Sequence, residues 1–172
     1  MADYHTAASF IFPLEKEQAK FAMGVLECIN KDNLEDLQNP QKTEWAQSIE
    51  PAMLKCAKTL LKRLGGKDFI SWGVLDFAVD IEEGGLWMGS DETINTEQAA
   101  IFIRLILNHF DLDTSVCINA SHTCSKLRLD AFGGHAAFVT KTGISWMSTD
   151  SFLHRKESAH QKKLAKKMEA RL

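Results

Sequence analysis

The sequence predicts an α+β fold: a single domain with a mostly antiparallel sheet of about five to seven strands, packed on one face by three to four helices. Apolar residues recur at a period near 3.6 in some segments and alternate strictly in others, as expected for a mixture of helices and strands. The segments do not follow the repeated strand-helix order of a doubly wound sheet, and the short links between strands favour antiparallel pairing. With 172 residues, 45% of them hydrophobic, the chain is long enough to bury a core.

The first third of the chain predicts one strand followed by helices. Residues 8–13 are rich in aromatic and branched side chains, and Pro13 ends their hydrogen-bonding ladder. Residues 15–31 place apolar side chains at helical spacing. Residues 43–64 are also helical in pattern, but Pro51 lacks an amide hydrogen, so we expect a kink or two successive helices there.

The middle of the chain predicts a hairpin and a central helix. Residues 75–82 alternate between apolar and polar side chains, which is typical of a half-buried strand. Glu83-Gly84-Gly85 follows as a turn, and residues 86–88 are the return strand. The next helix begins at Asn95, with Gln98 completing a capping box. Its body is apolar on more than one side, so we expect it at the centre of the core.

The second half of the chain changes to strand periodicity. Alternation over 116–121 and 126–130, and a hairpin over 136–147, predict about four strands. Thr149 or Asp150 caps a final helix that begins near Ser151. We therefore predict an α+β domain of residues 1–153 and a basic C-terminal helix of residues 154–172 that belongs to the same domain.

Charge is distributed unevenly along the chain. The formal net charge is −3, but residues 154–172 contain seven Lys or Arg and two Glu, so this segment carries +5 and the rest −8. A stripe of Leu164, Met168 and Leu172 runs along this helix and is expected to dock on the body, which leaves the basic face available. We expect an acidic protein partner, bound by Lys162, Lys163, Lys166, Lys167 and Arg171. Nucleic-acid binding by the same helix and a merely solvated helix are the alternatives.

The densest polar segment, residues 121–136, contains the candidates for catalysis. If Cys124 is exposed, Lys126, Arg128 and a protonated histidine could lower the pKa of its thiol, with His122 or His135 as the base. The alternative is a hairpin with a polar tip and a buried cysteine. The four cysteines are expected to be reduced, with Cys28 and Cys56 buried in helices.

Neither a metal nor a cofactor is expected. The spacing of Cys117, His122, Cys124 and His135 matches no zinc-finger pattern, and the first two would face opposite sides of a strand. The carboxylates that share one side of the first hairpin are expected to face solvent rather than hold a cation. No glycine-rich phosphate loop is present in the sequence.

Trp45 is the best candidate for an exposed anchor, because its neighbours are polar, and Lys126 and Arg128 complete the predicted binding residues. The first residues lack the pattern of a secretory signal, and no segment has the roughly 20 apolar residues needed to cross a membrane, so a cytoplasmic location is expected. Whether the chain forms a homodimer is left open.

The segments GLWMGSDETINTEQAAIFI and SHTCSKLRLDAFGGHAAFVTKTGISWMST resemble small proteins without an assigned activity from bacteria and their phages or plasmids. The resemblance covers about half of the chain and implies no functional residues. It favours an accessory protein that acts by binding. We therefore expect a non-enzymatic binding or regulatory protein, with a Cys/His enzyme and a nucleic-acid-binding protein as the alternatives.

Overall fold

The computed structural model describes residues 3–29, 37, 43–66, 75–126 and 131–169, with side chains through residue 166 in the last helix. Arg128, Arg171, Leu172, the side chain of Met168 and residues 127–130 of the alternation predicted over 126–130 lie outside the described residues. The described elements are, in chain order, β1 (Tyr4–Pro13), α1 (Lys16–Cys28), α2 (Glu44–Ser48), α3 (Pro51–Arg63), β2 (Ala78–Glu82), β3 (Gly85–Ser90), α4 (Thr96–His109), β4 (Ser115–Cys124), β5 (Gly133–Thr140), β6 (Ile144–Ser148) and α5 (Thr149–Glu169).

The strands form one antiparallel sheet in the order β2-β3-β1-β4-β5-β6. This confirms the predicted fold class and the antiparallel pairing. β1 lies in the middle, because its second half pairs with β3 from Ala8 to Pro13 and its first half pairs with β4 from Tyr4 to Ala7. The predicted strand of residues 8–13 is therefore too short. The missing half contains small and polar residues, and only its pairing with β4 makes it a strand.

One face of the sheet is covered by α1 and α4, α3 packs against these two helices, and the core lies between the sheet and the helices. The central position predicted for α4 is confirmed, since eight of its residues are buried. The sheet contributes alternate side chains to the same core, namely Phe12, Leu86, Met88, Val116, Ile118, Ala137 and Val139. Burial of this many apolar side chains supplies the main driving force for folding.

The opposite face of the sheet, called here the open face, carries the other set of alternating side chains. Its larger apolar members are Ile11 on β1, Trp87 on β3, Phe138 on β5 and Met147 on β6, and Cys117 on β4 lies among them. In the described part of the chain, only the first turns of α5 pack near this face.

The helical segment around Pro51 forms two helices rather than one kinked helix. α2 ends at Ser48, and α3 begins at Pro51, whose missing amide hydrogen costs nothing at the first helical position. Cys28 and Cys56 are both buried in helices, as predicted.

The turn between β5 and β6 is tied to α4 by side chains of that helix. Asn108 Nδ2 donates to the Lys141 carbonyl at 2.8 Å, and Arg104 Nη2 donates to the Thr142 carbonyl at 3.2 Å. Lys141 also pairs with Asp111 and Asp113, each at 2.7 Å, which raises the pKa of its ammonium group. These contacts hold the β5–β6 hairpin, and with it the start of α5, in one position.

None of the helices in the described ranges combines the length and the apolar character of a membrane-spanning segment.

Candidate functional site

Two of the predicted site residues, His122 and His135, are in direct contact. His122 Nε2 lies 2.7 Å from His135 Nδ1, and the ring centroids are 4.8 Å apart. At the outer ends of the pair, His122 Nδ1 lies 3.1 Å from Thr6 Oγ1, and His135 Nε2 lies 2.6 Å from Thr96 Oγ1. A chain of four polar side chains thus links β1, β4, β5 and α4.

The strand register explains why these residues meet. His122 on β4 lies opposite Thr6 on β1, and His135 on β5 lies opposite Ala120 on β4. Both imidazoles therefore point to the face covered by the helices. Thr96 is buried in the first turn of α4, where its hydroxyl reaches His135. The pair borders a cavity of about 640 Å³, whose wall also includes Glu97, Trp146, Met147, Ser148, Asp150 and Ser151.

All four ring nitrogens of the pair already have hydrogen-bond partners. Two neutral imidazoles satisfy the chain in either direction, because one ring donates to the other and each outer nitrogen either donates to or accepts from a threonine. The donor and acceptor roles along the chain therefore depend on the tautomers of the two rings.

The environment of His135 favours its neutral form. Burial, and then the proximity of His122, lowers the pKa of His135 below the ordinary histidine value. The side chain also sits at the N-terminal end of α4, where the helix dipole disfavours a cation.

Cys124 does not join this network. It is buried at the end of β4 opposite Tyr4, and within the described ranges no hydrogen bond connects its sulfur to an imidazole. Activation of Cys124 by His122 or His135 would first require breaking a bond of the existing chain. The two histidines of the enzyme alternative are in contact with each other, but in the described part of the chain neither is hydrogen-bonded to the proposed nucleophile, Cys124. The enzyme alternative stays a hypothesis.

No three His, Cys, Asp or Glu side chains converge on a common metal position within the described part of the chain. Cys117 lies exposed on the open face while His122 points to the helix-covered face. The prediction that these two residues face opposite sides of a strand is therefore confirmed.

The predicted basic helix is found, with a different start and a different anchor. α5 begins at Thr149, and Lys162, Lys163 and Lys166 are exposed, while only the backbone of Lys167 is described. Leu164 is 42% exposed, so the expected docking of the helix through this residue is wrong. The first turns of α5 contact β5 and β6 instead.

An apolar patch surrounds the start of α5. Phe138 and Met147 are each 48% exposed on neighbouring strands, and Phe152 and Leu153 on the helix are 44% and 62% exposed. Met147, Phe152 and Leu153 border a cavity of about 450 Å³ beside Ala136. We call these four exposed side chains the apolar patch.

The other predicted binding residues are not among those that border the cavity at the start of α5. Trp45 is 37% exposed on α2, and Lys126 is exposed just after β4. Neither shares a hydrogen bond or a ring contact with the described part of α5.

The apolar patch and the two threonines of the histidine chain were not among the predicted site residues. The patch had a signal, because Phe138 and Met147 occupy the strand positions opposite to those that enter the core. Thr6 and Thr96 had none, since their contacts depend on pairings between distant segments.

Comparisons with protein-family models, with curated proteins and with solved structures yield no match to this chain.

His135 makes folding sensitive to pH. Since the pKa of folded His135 is lowered, the unfolded chain binds more protons between that pKa and the ordinary value near 6.5, and stability falls as the pH falls through this range. Melting temperatures measured from about pH 7.5 to 5 should show this decline. His135→Phe should flatten it and cost about 2 kcal/mol at neutral pH, because Thr96 and His122 each lose a partner. An unchanged pH profile in this variant would contradict the role of the pair.

Proposed function

We propose that this protein is a non-enzymatic binding protein that recognises an acidic protein surface through α5 and the apolar patch at its start. The observation that carries the proposal is the position of α5. This helix has 21 residues, and every side chain described in it is exposed except Ser158, which is half-buried.

Two kinds of exposed side chain on α5 support the proposal. Phe152, Leu153 and Leu164 are apolar, and Arg155, Lys156, Lys162, Lys163 and Lys166 are basic. Exposed apolar side chains on a long helix commonly mark an interaction surface, and the surrounding cations select an acidic partner.

The neighbouring edge of the sheet supports the same interpretation. β6 is an outer strand with the sequence ISWMS, which contains neither a charged residue nor a proline. Edge strands are normally protected by such residues, and β6 instead exposes Trp146 on one face and Met147 on the other. The strand and the helix that follows it form one continuous exposed surface.

Nucleic-acid binding is the competing function for the same lysines. The exposed aromatic residues beside α5 are fixed on strands or on its first turn, whereas its lysine-rich half has no aromatic side chain for base stacking. A phosphate backbone offers no apolar contact to the apolar patch. A protein surface can contact both the patch and the lysines, and it therefore accounts for more of the exposed residues than a nucleic acid does.

A defined acidic polymer tests the proposal. Binding of a fluorescent glutamate-tyrosine copolymer is measured by anisotropy, with polyglutamate and a mixed-sequence DNA duplex as comparison probes. The combined substitution Lys162→Gln, Lys163→Gln, Lys166→Gln should weaken copolymer binding at least about tenfold, since it removes three cations from the surface. Leu153→Ser should weaken binding of the copolymer more than binding of polyglutamate.

The matched control is on α3, where Lys55→Gln, Lys58→Gln, Lys62→Gln removes the same charge from another exposed helix face. This variant should bind the copolymer like the unmodified protein. Equal losses of copolymer binding in both variants would show that binding depends only on net charge, and would contradict a specific binding surface on α5. Tighter binding to the DNA duplex than to the copolymer at physiological salt would assign α5 to nucleic acid instead.

A further inference from the structure

The open face of the sheet and α5 both expose apolar side chains that the described part of the chain does not cover. On the sheet, Ile11 is 39% exposed and Phe138 48%, and on the helix Leu164 is 42% exposed. The second face of an antiparallel sheet can lie in solvent, but it is then mainly polar, whereas this face carries several large apolar side chains.

The open face is acidic at the end away from α5. Asp80 and Glu82 of β2 lie on this face, because they pair with Trp87 and Gly85 of β3. Beside them is a groove of about 710 Å³ whose floor is made of small residues, among them Ala7, Ser9 and Gly89, and whose wall is Trp87. Asp76 and Asp91 stand at its rim.

We infer that the open face receives α5 of a second copy of this chain, in a reciprocal dimer. The inference rests on the proposed function, since it names the acidic surface that α5 binds. Charge complementarity is the first argument: the described half of α5 that carries Lys162, Lys163 and Lys166 has no acidic side chain, and the groove and its rim have no basic one.

The length of α5 also fits the width of the sheet. At 1.5 Å per residue, Lys162 and Lys166 lie about 20 and 26 Å from the start of α5. The outer strands of a six-stranded sheet are about 24 Å apart. A helix that starts near the β6 edge of the second copy therefore places Leu164 and its lysines over the acidic strands β2 and β3, where Trp87 lies.

The reciprocal arrangement also forms a closed dimer rather than an open chain of copies. Each copy donates one helix and receives one, so two copies satisfy all such contacts, as in a two-fold symmetric dimer. β6 is an uncharged edge from which α5 starts, so bringing the two β6 edges close together meets no charge repulsion.

A charge swap tests the inference. One variant reverses the helix (Lys162→Glu, Lys163→Glu, Lys166→Glu), and the other reverses the groove (Asp76→Lys, Asp80→Lys, Asp91→Lys); all six side chains are exposed, so folding should be retained. In sedimentation velocity, the unmodified protein should have the mass of two chains. Each variant alone should dissociate at least about a hundredfold more readily, because like charges then face each other.

The decisive sample is the equimolar mixture of the two variants. Each mixed dimer pairs an acidic helix with a basic groove and a basic helix with an acidic groove, so the two-chain mass should return. A mixture that stays monomeric overturns the inference, and melting curves of each variant verify that it is folded.

The copolymer separates this inference from the proposed function. The groove variant should still bind the copolymer, since its helix is intact, and the helix variant should not. If the unmodified protein is monomeric but binds the copolymer through α5, the second copy is wrong and the proposed function stands. If the helix variant keeps both its dimer and its copolymer binding, both are wrong.

Discussion

Cys117 should be the first of the four cysteines to react with an alkylating reagent, about a hundredfold faster than Cys28 at about pH 8. Cys117 is exposed on the open face, whereas Cys28 is buried in α1. Burial, and then the charge of Glu27, raises the pKa of the Cys28 thiol to about 11, so about one molecule in a thousand carries the reactive thiolate at that pH. Mass spectrometry of the peptides after timed quenching measures the four rates.

The same experiment addresses the enzyme alternative. Cys124 is buried and has no imidazole in contact in the described part of the chain, so it should react far more slowly than Cys117. A Cys124 rate above that of the denatured protein would show an activated thiolate and favour an enzyme. Cys117→Ser identifies the fast-reacting peptide, and the helix-reversed variant, in which α5 no longer docks, should expose Cys117 more than the unmodified protein does.

Gly85→Ala should destabilise the protein by at least about 3 kcal/mol, which is enough to unfold much of a marginally stable domain. Gly85 has a φ of 146°, which side-chain-bearing residues rarely adopt. An added Cβ would also overlap the carbonyl oxygen of Phe12 and lie 2.7 Å from the Leu14 nitrogen. Both atoms belong to the backbone where β1 ends, so the central pairing of the sheet would have to shift.

Two other glycines separate the causes of this effect. Gly84 has a φ of 94° but nothing within 4 Å of an added Cβ, so Gly84→Ala should cost only about 1 kcal/mol of backbone strain. Gly143 has open space and no such φ, and Gly143→Ala should change stability little. Urea unfolding of the three variants measures the differences. Equal costs at Gly84 and Gly85 would rule out close contact between β3 and β1 as the reason.

Local patterns predicted the parts of the fold that depend on one segment at a time. Asn95 caps α4 by accepting from the backbone amide of Gln98, as expected, because both groups lie within one helical turn. The other half of the predicted capping box is wrong, since Gln98 Oε1 accepts from the Asp76 amide and the Asn95 amide donates to the Asp76 carbonyl. The break at Pro51 followed from the chemistry of proline alone. The first half of β1 could not be predicted, since residues 4–7 become a strand only by pairing with β4, more than 110 residues away.

Only part of the candidate site could be predicted, because the rest also depends on contacts between distant segments. His122 and His135 stand out in a short polar segment, and their contact required only that the two strands pair. Their threonine partners come from β1 and α4, which no local pattern connects to them. The predicted anchor of α5 at Leu164 was wrong, because the helix is attached at its start, where Thr149 Oγ1 is hydrogen-bonded to the backbone of Gly134 on β5.

Photo-cross-linking from α5 tests most directly whether this helix is a docking element. Benzoylphenylalanine replaces Leu164, which is exposed, and the purified full chain is irradiated. Docking on a second copy predicts a product of two chains, with the adducts on residues 76–91 and 7–11 of the open face, and its loss in the helix-reversed variant. Adducts confined to the same chain, or none on the open face, would contradict it.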